Sequence, residues 1–109
     1  MTLDEQTATA LGWKNGKHDG TLWTRQGHIA TRGAPDFSAN WHRVQEMLDW
    51  LRVRGVVHVV FCLDSVSVSA ERFVDGRCMA GADGATLPDA LARLVVLVDT
   101  WEKGEEAKP

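Results

Sequence analysis

The chain has 109 residues, 44% hydrophobic and 25% charged, which suits one domain with its own core and excludes a disordered protein. Its formal net charge of −3 argues against a general attraction to nucleic acid or to an anionic membrane. The longest apolar runs, Val56–Leu63 and Leu94–Val98, are too short to span a bilayer.

The stretch Met1-Thr2-Leu3-Asp4-Glu5 is acidic where a secretory signal is basic and then apolar. This points to the cytoplasm, where Cys62 and Cys78 stay reduced. Residues 3–11 read as a first helix, with Thr2 as N-cap, Glu5 at the capping-box position and Gly12 as the stop. Gly16, Gly20, Gly27 and Gly33 then punctuate the chain. Residues 21–25 and 28–32 are expected to form two short strands joined at Gln26-Gly27.

Ser38 is the expected N-cap of a second helix. Phe37, Trp41, Val44, Leu48 and Leu51 share one of its faces at helical spacing. Arg52 and Arg54 suit its C-terminal end, and Gly55 closes it. Residues 56–63, Val-Val-His-Val-Val-Phe-Cys-Leu, form the strongest strand. Being apolar on both faces apart from His58, it reads as a central strand covered on both sides. Val66, Val68 and Ala70 alternate with Ser67 and Ser69, the pattern of a strand with one wet face. Asp75-Gly76 signals a hairpin, residues 77–80 return, and residues 81–85 form a loop. Thr86-Leu87-Pro88-Asp89 opens a third helix that runs to about Glu102, with Leu87, Leu91, Leu94, Val98 and Trp101 on its apolar side. Residues 103–109 read as a flexible C-terminal tail.

The expected fold is α+β, one domain over residues 1–102. A mainly antiparallel sheet of 4–5 strands with three helices would be layered as a helix–sheet–helix sandwich, because strands joined by tight turns are antiparallel and the strongest strand calls for cover on both faces.

Three stretches, Leu11-Gly12-Trp13-Lys14, Pro35-Asp36-Phe37-Ser38-Ala39-Asn40-Trp41 and Thr86-Leu87-Pro88-Asp89-Ala90-Leu91-Ala92-Arg93, resemble in this order the phage ABA sandwich domain family. With the strands between them the resemblance covers nearly the whole chain. It implies a layered helix–sheet–helix fold in a small bacteriophage accessory protein of the host cytoplasm. It brings no activity and no catalytic residues to carry over. The Gly-rich stretch between Trp13 and Pro35 is longer than the family pattern.

The chemistry-bearing residues form no recognisable kit. His18, His28, His42, His58, Cys62 and Cys78 lack Cys-x-x-Cys or a His pair at helical spacing, so no metal is expected. His58 and Cys62 share a strand face, but four residues of strand separate their Cα atoms by roughly 13 Å. A nucleophilic thiol with His58 and Asp64 is disfavoured if Cys62 is buried between Phe61 and Leu63. Gly12, Gly16 and Gly20 with Lys14 and Lys17 lack the Gly-Lys-Ser/Thr of a phosphate loop. No cofactor and no catalysis are expected.

Two binding readings remain. Trp50 falls about 130° from the apolar stripe of the second helix, among Arg43, Glu46 and Arg54 and beside Val53. Trp and Arg often anchor interfaces, so Trp50, Val53, Arg43 and Arg54 are a candidate contact patch for a host or phage protein or a second copy. The bland alternative packs Trp50 under another part of the chain. The second reading is a small nucleic-acid-binding protein using the Lys14–Arg32 region, where Lys14, Lys17, His18, Arg25, His28 and Arg32 alternate with Trp13 and Trp23.

Overall fold

A computed structural model describes residues 1–16 and 21–106; Lys17 and His18 lie outside them. The fold is α+β, with three helices and two separate three-stranded antiparallel sheets in place of one larger sheet.

Helix α1 spans Leu3–Ala10, and the Thr2 hydroxyl accepts the Glu5 N–H as expected of its N-cap. It ends in a Schellman turn: Gly12 is at φ 94°, and Trp13 N–H donates to the Ala8 carbonyl. The buried Thr7 hydroxyl lies within hydrogen-bond reach of the Leu3 and Ala92 carbonyls, at 2.8 and 3.3 Å. That contact ties α1 to the third helix.

The small sheet has the order β1-β2-β3, with β1 Lys14–Asn15, β2 Leu22–Thr24 and β3 Thr31–Arg32. The expected hairpin is present but shorter than its sequence suggests. Gly27, at φ 84°, supplies the turn in which His28 N–H reaches the Arg25 carbonyl. Strand β1 was not foreseen; it is too short to show a period.

Ser38 does not cap the second helix. Its N–H donates to Asp4 Oδ1, and Asn40, whose side chain accepts the His42 N–H, caps a short turn that precedes the helix. A 3₁₀ turn over Trp41–Arg43 leads into α2, Val44–Arg52. The buried face differs from the expected one. Trp41 is 60% exposed, Val44 and Leu48 are only partly buried, and Met47, Trp50 and Leu51 face the core.

The larger sheet has the order β4-β5-β6, with β4 Gly55–Phe61, β5 Val66–Arg72 and β6 Cys78–Gly84. Residues 81–84, expected as loop, complete β6. A bulge beside Ala70 and Glu71 interrupts the β5–β6 register, and Met79 is buried there. The Asp75-Gly76 hairpin forms as expected, with Gly76 at φ 67°. Helix α3 spans Leu87–Glu106, past the expected end at Glu102. The Thr86 hydroxyl accepts the Asp89 N–H at its start. Ala90, Leu91, Ala92, Leu94, Val95 and Val98 are completely buried along it.

Helix α3 packs on β5 and β6, α2 packs on β4, and α1 packs on α3. The helices therefore lie on the face of the larger sheet that carries Val66, Val68 and Ala70, all buried. The opposite face, with Val56, His58 and Val60, is exposed. The expectation of helices on both faces is corrected accordingly.

The strongest strand is likewise not central. Tight turns join β4 to β5 and β5 to β6, so β5 is the middle strand and β4 an edge. Gly55 serves β4 rather than ending α2: a Cβ there would run into the Glu71 backbone of β5.

Candidate protein-binding surface

The expected contact patch is folded inward. Trp50 is only 9% exposed, and the guanidinium of Arg54 stands over its ring, 3.6 Å from the centroid. Arg54 also donates to the Trp50 carbonyl at 2.7 Å and pairs with Glu102 of α3 at 2.8 Å. The chain itself thus covers Trp50, with Arg54 supplying part of the cover. Arg43 is also engaged, over the Trp13 and Phe37 rings. Of the four residues only Val53, 73% exposed, stands free of the surface.

Arg43 belongs to a polar cluster around Glu46, whose side chain is 9% exposed. Oε2 of Glu46 accepts from Trp13 Nε1 at 2.7 Å and from Arg25 Nη1 at 2.8 Å; Oε1 accepts from Arg43 at 3.3 Å. His28 Nδ1 lies 3.9 Å from Oε1, and its ring packs on Trp13. This cluster fastens the small sheet to α2. It also bears on the nucleic-acid reading, because Arg25 and His28 of the basic segment turn toward Glu46 while Lys14 and Arg32 stay exposed. A structural cluster suits an arginine–carboxylate set that is mostly buried and mutually satisfied.

The nucleophile candidates do not converge. Cys62 and Cys78 are both exposed free thiols, which corrects the expected burial of Cys62. Cys62 follows directly on β4, an edge strand of its sheet. His58 Nε2 pairs with Glu71 Oε2 of β5 at 3.3 Å. Among the described residues no group of three or more His, Cys, Asp or Glu is placed to hold a metal ion, and no helix is long and apolar enough to cross a membrane.

What the surface does offer is β4. One of its edges pairs with β5 from Gly55 to Phe61 without a break; the other has no neighbouring strand among the described residues. Val56, Val59, Val60, Phe61 and the following Leu63 are all exposed, Phe61 by 68%. A shallow groove of about 410 Å³ lies beside the start of the strand, lined by Leu48, Arg52, Gly55, Val57, Val59 and Phe73. Natural edge strands are usually blunted by Lys, Pro, bulges or cover. Between Gly55 and Leu63 the sequence has none of these residue types.

The apolar run itself was the available sequence signal for this surface. Double-sided apolarity is also the mark of a covered strand, so the pattern alone does not separate an interior strand from an apolar edge. Comparison with protein-family models, with curated proteins and with solved structures finds no match for the chain.

Proposed function

We propose that this chain is a non-catalytic accessory protein that acts by protein–protein contact, and that the β4 edge with its apolar strip is the contact surface. The observation that carries this reading is the uncharged, exposed strand Gly55–Phe61 beside the Leu48–Phe73 groove. Strand addition supplies affinity through main-chain hydrogen bonds, and pockets beside the strand select side chains. The groove between α2 and β4 is such a pocket. The phage origin and host-cytoplasmic setting implied by the sequence resemblance fit a small binding protein, and they remain part of the proposal.

The reading is tested with a photo-crosslinking side chain introduced at Val60 or Leu63, and at Gln6 of α1 as control. The β4 positions are expected to capture protein in cells and Gln6 is not. Equal capture at all three sites, or none at β4, overturns the reading.

A further inference from the structure

We infer that the protein closing on β4 is a second copy of this chain, paired antiparallel through β4 about a two-fold axis beside His58. This rests on the reading of β4 as a contact surface and names its occupant.

The first argument is the sequence of the strand. Val56-Val57-His58-Val59-Val60 reads the same in both directions. Antiparallel pairing centred on His58 places Val57 opposite Val59 of the second copy and Val56 opposite Val60. Valine then meets valine on both sides of the central His58 pair, and each contact of residue i with j recurs as j with i, the relation of an isologous contact. Pairs of β-branched residues directly opposite one another stabilise such ladders.

The second argument is hydrogen-bond parity. Cys62 N–H donates to the Ser65 carbonyl at 2.8 Å, so Cys62 faces β5. Alternation along the strand then directs Val60, His58 and Val56 to β5, and Phe61, Val59, Val57 and Gly55 to the open edge. The two-fold on His58 matches Val57 with Val59 and Gly55 with Phe61. Every bonding position on one copy thus meets a bonding position on the other, and His58 falls at a non-bonded pair.

The third argument is shape. Phe61 of one copy arrives opposite Gly55 of the other. It lies on the sheet face shared with Val57 and Val59, the side on which α2 packs. Gly55 has no side chain, and the groove beside it is lined by Leu48, Val57 and Phe73. An exposed aromatic and an apolar groove at a glycine therefore meet twice in one symmetric contact.

The fourth argument is area. Val56, Val59, Val60, Phe61 and Leu63 expose on the order of 500 Å² of side chain, against about 800 Å² per partner in a standard interface. The strand backbone and the exposed neighbours Val53 and Phe73 add to that contact.

Sedimentation or light scattering of the full chain over a dilution series tests the inference. The expected result is a mass that doubles with concentration, and Val59→Lys should weaken association at least tenfold while its melting curve matches that of the wild type at dilutions where both are monomeric. If that variant does not fold, Phe61→Ser serves the same purpose at a more exposed position. The register is read by oxidation in a Cys62→Ser, Cys78→Ser background. His58→Cys should crosslink to itself, because opposed non-bonded pairs bring side chains close. Val57→Cys and Val59→Cys should crosslink when mixed and not alone. A wild-type chain that stays monomeric at every concentration overturns the inference, as does a dimer indifferent to Val59→Lys. Self-crosslinking of Val59→Cys in place of His58→Cys overturns the register. Capture of a different protein by the Leu63 photo-crosslinker, from a chain that is monomeric, would sink the second copy and leave the contact surface standing.

Discussion

Arg54 stands over Trp50, its guanidinium carbon 3.6 Å from the ring centroid, while its Nε pairs with Glu102 of α3. The pair turns a tryptophan on a charged helix face into part of the core. It also bridges α2 and α3. Trp50→Ala should therefore act on folding, with a loss of about 3–4 kcal/mol typical of truncating a large buried aromatic. Arg54→Ala should cost less, about 1 kcal/mol, because Arg54 and Glu102 are both partly exposed. Chemical denaturation followed by tryptophan fluorescence measures both.

Glu46 is the second point of tension. Its carboxylate receives the Trp13 indole and the Arg25 and Arg43 guanidinium groups. Glu46→Ala leaves these donors without their acceptor and should destabilise the chain by about 2–3 kcal/mol. Glu46→Gln keeps one acceptor oxygen and should cost roughly half as much. Amide exchange should locate the loosening in β1–β3 in both variants.

Gly55→Ala tests the close approach of β4 to β5. The added methyl would meet the Glu71 backbone, which cannot yield as a side-chain tip can. A loss of about 1–3 kcal/mol is expected, as for overpacking elsewhere. It should appear as a lower denaturation midpoint.

Acid should weaken the β5–β6 hairpin. The Asp75 carboxyl accepts from the Arg72 guanidinium and from Arg77 N–H, and these hold its pKa down to about 2 from the ordinary 3.8. A depressed folded-state pKa contributes stability that is fully present above 3.8 and is lost as pH falls through about 2. Asp75→Asn removes that part of the pH dependence. Denaturation midpoints measured from pH 5 down to pH 2 should fall less steeply in the variant than in the parent chain.

Much of the fold was legible where local rules act alone. Thr2, Gly12, Thr86 and the Asp75-Gly76 turn each behave as their sequence suggests, because a cap or a turn depends on a few neighbouring residues. Position within the sheet was harder. The apolar run of β4 and the alternation of β5 invited the wrong centre, although two consecutive tight turns make β5 the middle strand whatever its composition. Helix α2 proper starts only at Val44, which leaves Phe37 and Trp41 outside it, and its buried face takes in Trp50 because Arg54 stands over that ring. The local halves of these contacts, Arg54 on Trp50 and Arg43 on Glu46, lie at helical spacing, but the distant halves could not be read locally. Their partners Trp13, Phe37 and Glu102 come from distant segments.

The Schellman turn at Gly12 has a reach beyond α1. The residue that completes it is Trp13, whose N–H closes the turn and whose indole N–H finds Glu46. One amino acid thereby stops a helix and docks a hairpin, which couples the two events. Helix α1, the small sheet and the start of α2 should open together, as a single cooperative block ahead of the α3 spine.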